Sequence, residues 1–188
     1  MVKPHVPVER SGLAIRTGEM MGTIVSSNRK IVLTLAGIAA VVAVVRYFLK
    51  GWLEPLGVPT VVGSFLASIT IVLLVGLVLL FLREGRSDEG RYIRAAAWFI
   101  AFSVWCEALV IAGILLTERT GAGTYYQGPW KMVETMFPTP AAHAIGHTQG
   151  FVVRLALNLI IGAIIYWFAK GRRAKTKNNA EARAASRA

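Results

Sequence analysis

The 188-residue chain holds a single cysteine, Cys106, so it has no internal disulfide and no cysteine-built metal cage. Acids are scarce too: ten Asp and Glu stand against 21 Lys and Arg, a net charge of +11. Histidine occurs only at His5, His143 and His147. There is no glycine-rich nucleotide loop, no His-Glu-x-x-His pair, no Gly-x-Ser-x-Gly elbow and no Cys-x-x-Cys. No pair of aspartates marks an intramembrane protease, and the two halves show no internal repeat of the inverted-transporter kind. The basic excess is not interleaved with exposed aromatics on a recognisable binding fold, so nucleic acid is not an expected partner.

What is present is apolar and continuous. Hydrophobic residues make up 55% of the chain and gather in a few long runs, which places it among membrane proteins, with the lipid bilayer as its first partner. We read an all-α integral membrane protein: four transmembrane helices in a bundle, spanning about 31–49, 60–82, 92–116 and 140–170. Each has about 19 residues or more, enough to cross about 30 Å of hydrocarbon. Residues 1–29, broken by Pro4, Pro7 and several glycines, read as a mostly mobile cytoplasmic arm and not as a signal peptide. Ser27 or Asn28 would cap the first span. Residues 171–188 read as a basic, disordered cytoplasmic tail.

Orientation follows from the basic residues. The arm, the connector Arg83–Arg91 and the tail carry most of the Lys and Arg, whereas the first and third connectors carry few. Both termini on the cytoplasmic side of the inner cell membrane satisfies every loop at once. Alanines four apart, Ala36/Ala40 and Ala39/Ala43, offer seams for close helix approach, as do Gly63/Ala67 and Ser64/Ser68. In the third connector, Trp130, Val133 and Phe137 fall on one face of a short interfacial helix.

The fourth span carries the chemistry. Thr139 and Pro140 suit a cap and a first helical position. At about 100° per residue, His143, His147, Arg154 and Asn158 share one narrow face, and Val152, Leu155, Leu159, Ile164 and Ile165 are the residues left for lipid. In the third span, Glu107 is a carboxylate at membrane depth. At about 2.5–3.5 kcal/mol for such a charge it must face the bundle interior and find a partner. Counting at 1.5 Å per residue from Leu116 puts it about 14 Å below the outer surface of the core. Counting from Thr148 puts Asn158 at about 15 Å and Arg154 at about 9 Å. That estimate pairs Glu107 with Asn158, with Arg154 nearby or bridged by water.

His143 and His147, four apart, aim at a common point and suit a zinc-like ion if Glu134, Glu118 or Gln149 completes the set. Tyr125, Tyr126, Trp130 and Phe151 are placed to line a pocket beside them, where a metal, a haem or a quinone would sit at the outer face; as interfacial aromatics they equally suit the headgroup belt. Three functions follow as expectations. The first is a non-catalytic subunit or assembly partner of a larger membrane complex. The second is a homo-oligomeric channel or small-solute transporter that uses Glu107, Asn158 and Arg154. The third is a redox or metal-dependent membrane subunit built on His143 and His147.

Overall fold

The computed structural model describes residues 11–59, 62–63, 68–122, 124, 126 and 139–186, with side chains in the first helix from Ser27 onward. Every regular element among these residues is helical. They are α1 (Ser11–Leu53), a 3-10 turn (Glu54–Leu56), α2 (Ile69–Arg86), α3 (Tyr92–Thr120) and α4 (Pro140–Ala185). Three helices, α1, α3 and α4, are long and apolar enough to cross a membrane. The described part of α2 has 18 residues, about 27 Å of helix, and ends on Arg83, Glu84 and Arg86. Gly63/Ala67 and Ser64/Ser68 fall partly, and Trp130, Val133 and Phe137 wholly, outside the described residues.

Two helices outrun the membrane. α1 has 43 residues and α4 has 46, about 65 and 69 Å against a core of about 30 Å. The sequence reading starts the first helix near Ile31 and ends the last at Lys170, whereas the structure continues both, back to Ser11 and on to Ala185. In α4 the reason is local: Ala, Arg, Lys and Glu dominate after Gly171, and these are strong helix formers that lose little rotamer freedom. Asn28 is therefore a mid-helix residue and not a cap. Thr139 does cap α4, its hydroxyl accepting the Ala142 N–H at 3.1 Å.

α2 packs on both α3 and α4, α3 packs on α4, and α1 lies against α2 and α3. The core is a stack of Val32, Leu35, Ala39 and Ala43 from α1 on Leu77, Leu80 and Phe81 from α2, with Phe99, Phe102 and Cys106 from α3. Cys106 packs there as a small hydrophobe. Small residues set the helix spacing. A Cβ on Gly85 would lie 2.5 Å from the Tyr166 carbonyl oxygen, and one on Gly162 would lie 2.6 Å from the Phe81 ring. Backbones of α2 and α4 meet this closely only because those atoms are absent.

The outside is apolar. Leu33, Val41, Val44 and Phe48 on α1, Leu74 and Val78 on α2, and Val152, Leu157, Ile160 and Ile164 on α4 are all exposed. So large an apolar surface is one that lipid, not water, solvates. Of the α4 residues assigned to lipid, Val152 and Ile164 do face outward. Leu155, Leu159 and Ile165 instead pack partly against the core, because α2 and α3 flank α4 on two sides.

Candidate functional site

The half of the bundle nearer the start of α4 holds one polar group of three residues. Glu107 stands on the face Ser103–Cys106–Glu107–Val110 of α3, a run spaced for one side of a helix. Opposite it on α4, one Nη2 nitrogen of Arg154 lies 3.1 Å from each Glu107 carboxylate oxygen and donates to the His147 carbonyl at 3.1 Å. The Glu107 side chain is 14% exposed and that of Arg154 is 49% exposed. Arg154 thus reaches a largely buried acid while about half of its own side chain stays accessible. Gly150, one turn before Arg154, leaves the room: a Cβ there would sit 3.3 Å from Arg154 Nη1. His147 is the third member, its Nδ1 3.5 Å from Glu107 Oε1.

This corrects the pairing inferred from depth. Among the described residues no hydrogen bond joins Glu107 to Asn158; Asn158 lines the same groove further along α4. The depth count took Leu116 and Thr148 as the edges of the core. Measured from the observed helix ends, Thr120 and Pro140, Glu107 and Arg154 both lie about 20 Å in, and Asn158 about 27 Å. Arg154 and Glu107 are thus level, and the long arginine arm spans the gap that the opposite leans of the two side chains leave.

The three residues stand beside a groove of about 370 Å³ between α2, α3 and α4. Its walls are largely apolar, Leu73, Val110, Phe151 and Leu155 among them. Phe151 is one of the residues that line it, and Tyr126 is not. It packs in a separate cluster with Ile114 and Ala144, donates its hydroxyl to the Ala43 carbonyl at 3.1 Å, and lies under the Arg46 guanidinium. Burial pushes its phenol up to about 12, against the opposing pull of Arg46. Tyr125, Trp130 and Glu134 lie outside the described residues. The His143 and His147 rings are 5.0 Å apart, but among the described residues no group of three His, Cys, Asp or Glu side chains is placed to hold a metal ion.

A second polar group, at the other end of the bundle, is absent from the sequence reading. Glu84 is buried at the end of α2 and Asn28 is buried in α1. The Asn28 amide donates to Glu84 Oε1, and Glu84 Oε2 accepts the Arg91 backbone N–H at 2.9 Å. Arg94 Nη1 lies 3.9 Å from the same carboxylate. The connector is held further by the Tyr166 hydroxyl, which donates to the Gly90 carbonyl at 2.9 Å, and by an ion pair between Arg173 and Asp88. In sequence Glu84 is one charge among several in Arg83–Arg91. The signal that separates it is register: it lies four residues after Leu80, and so on the core face of α2.

Searches for a matching family model, a matching curated protein and a matching solved structure each found none.

Proposed function

We propose that this chain is a four-span protein of the inner cell membrane, with both termini cytoplasmic, and that it serves as a non-catalytic subunit of a larger membrane complex. One observation carries the reading: the carboxylates of Glu107 and Glu84, inside the bundle, are each held by donors of the same chain. Glu107 is held by Arg154, and Glu84 by Asn28 and the Arg91 N–H. Acids held this way lock helices to one another, a structural use of intramembrane charge. The orientation is supported by the basic residues at the Glu84 end of the bundle and along the extension of α4, Arg172, Arg173, Lys175 and Lys177.

The partner face we assign is the outer side of α1. Gly37 there has nothing within 4 Å of where a Cβ would stand, and Leu33, Val41 and Val44 flank it. A helix from another subunit would approach closely along that strip. Gentle extraction from native membranes, followed by cross-linking and mass spectrometry, tests the proposal. Recovery of the chain with a defined membrane partner is the expected result. Recovery as a folded monomer from membranes in which cross-linking captures no companion contradicts it.

A second reading, a proton- or ion-conducting homo-oligomer, draws on His147. Its Nδ1 stands near Glu107, and a protonatable ring beside a carboxylate is one element of a relay.

A further inference from the structure

One exposed face of α4 runs from hydrocarbon side chains straight into two cations. Leu157, Ile161, Ile164, Phe168, Arg172 and Lys175 follow one another at spacings of three or four residues, and all are exposed. The Arg172 guanidinium lies over the Phe168 ring, 4.3 Å from its centroid. The arginine thus leans back by one turn, as helical side chains do, and holds its charge beside the last large apolar residue of this face. Among the described residues neither Arg172 nor Lys175 pairs with a carboxylate, and no acceptor takes an Arg172 side-chain N–H. The acids nearby are engaged elsewhere: Asp88 with Arg173, and Glu181 at 4.0 Å from Lys177.

We propose that this face seats an anionic phospholipid, with its phosphate at Arg172 and Lys175 and an acyl chain along Ile164, Ile161 and Leu157. The lengths agree. Ile161 and Arg172 are about 17 Å apart along the helix axis, and the hydrocarbon of one leaflet is about 15 Å thick. The head is a phosphate because a guanidinium presents a planar fork of N–H donors that matches phosphate oxygens. Lys175, three residues on, adds an ammonium on the same side. The lipid is anionic because this face carries two positive charges and no acid. A zwitterionic lipid brings its own ammonium beside them, whereas phosphatidylglycerol brings none. Arg183 plays no part, since it stands about 17 Å beyond Arg172 and the headgroup layer is only about 5–7 Å deep. The assignment rests on α4 crossing a membrane, and on neither the side its end faces nor a protein partner.

The test uses the full chain in phosphatidylcholine nanodiscs doped with a phosphatidylglycerol that carries a diazirine on its acyl chain. Labelling is expected within residues 157–168. Unlabelled phosphatidylglycerol should displace it, and phosphatidylethanolamine should do so at least about fivefold less effectively. A cation near the membrane surface is worth about 1 kcal/mol, or about fivefold in affinity. Arg172→Gln with Lys175→Gln should therefore lower apparent affinity by at least about fivefold, with circular dichroism unchanged because Gln is as good a helix former as either. Lys177→Gln with Arg183→Gln removes the same charge farther from the headgroups and should change affinity by less than about twofold. Arg172→Lys with Lys175→Arg should keep the preference for phosphatidylglycerol. Labelling spread evenly along the lipid-facing helices, equal competition by the two lipids, or equal losses in the two Gln pairs overturns the proposal. Displacement by inorganic phosphate at matched ionic strength overturns it too, because the site would then hold a free anion and not a lipid.

Discussion

Arg154 reaches Glu107 with a single nitrogen, 3.1 Å from each carboxylate oxygen, and that same nitrogen holds the backbone carbonyl of His147. One side chain on α4 therefore neutralises the acid of α3 and fixes its own helix to that contact. In hydrocarbon, where neither ion has water to return to, such a pair sets which faces of two helices meet.

The Glu84 group makes a comparable junction at the opposite end. Replacing Glu84 with Leu strands the Asn28 amide and the Arg91 N–H together, and is expected to cost about 2–3 kcal/mol. Glu84→Gln keeps an acceptor for Arg91 and, with the Asn28 amide turned over, donates an amide N–H to Asn28 Oδ1, an atom without a partner among the described residues. It should cost clearly less. Hydrogen exchange at the Arg91–Ala95 amides reads the difference: fast in Glu84→Leu, close to the parent rate in Glu84→Gln.

Helix spacing predicts two opposite outcomes for similar substitutions. Gly85→Ala places a methyl against the Tyr166 carbonyl and forces α2 from α4, at a cost of about 1–3 kcal/mol. Gly37→Ala meets nothing within 4 Å and gains helix propensity, up to about 1 kcal/mol. Thermal unfolding of the isolated protein in detergent should show a lower midpoint for the first and an equal or higher one for the second. Gly37→Leu should leave that midpoint intact yet reduce recovery of a partner from native membranes.

Tyr126 gives a pH dependence with a definite sign. Its folded phenol titrates near 12 against an ordinary value of 10, so the folded chain keeps a proton that the unfolded chain releases. The associated stability is complete below about pH 10 and falls as pH rises toward 12. In tyrosinate absorbance, the difference between the parent and Tyr126→Phe should stay flat to about pH 11. A difference rising already at pH 10 contradicts the buried placement.

For conduction, proteoliposomes carrying the parent protein or Glu107→Gln separate the two functional readings. A structural role for Glu107 predicts no proton flux above empty vesicles in either sample. Flux in the parent that disappears in Glu107→Gln would favour the relay.

The apolar runs, the cap at Thr139, the polar face of α4 and the need of Glu107 for a partner were all legible in the residues, because each depends on local period or on solvation. The identity of that partner was not. It depends on where two helices end, and an error of four residues exchanges Arg154 for Asn158. Asn28 and Glu84 were hidden for a related reason: a helix that continues past the membrane edge buries residues that composition assigns to an arm and a charged connector. Ser103, which lines the groove, was legible in principle, since it precedes Glu107 by one helical turn, but an isolated serine in an apolar run gives no sign of such a place.

The most direct measurement of the central claim is a double-mutant cycle between Glu107→Leu and Arg154→Leu, read as unfolding free energy in a fixed detergent. Each single change leaves one ion alone at membrane depth and should cost about 3 kcal/mol, while the double change should cost little more than either single. The account predicts a coupling of at least about 1.5 kcal/mol. Additive losses, with coupling near zero, would contradict it.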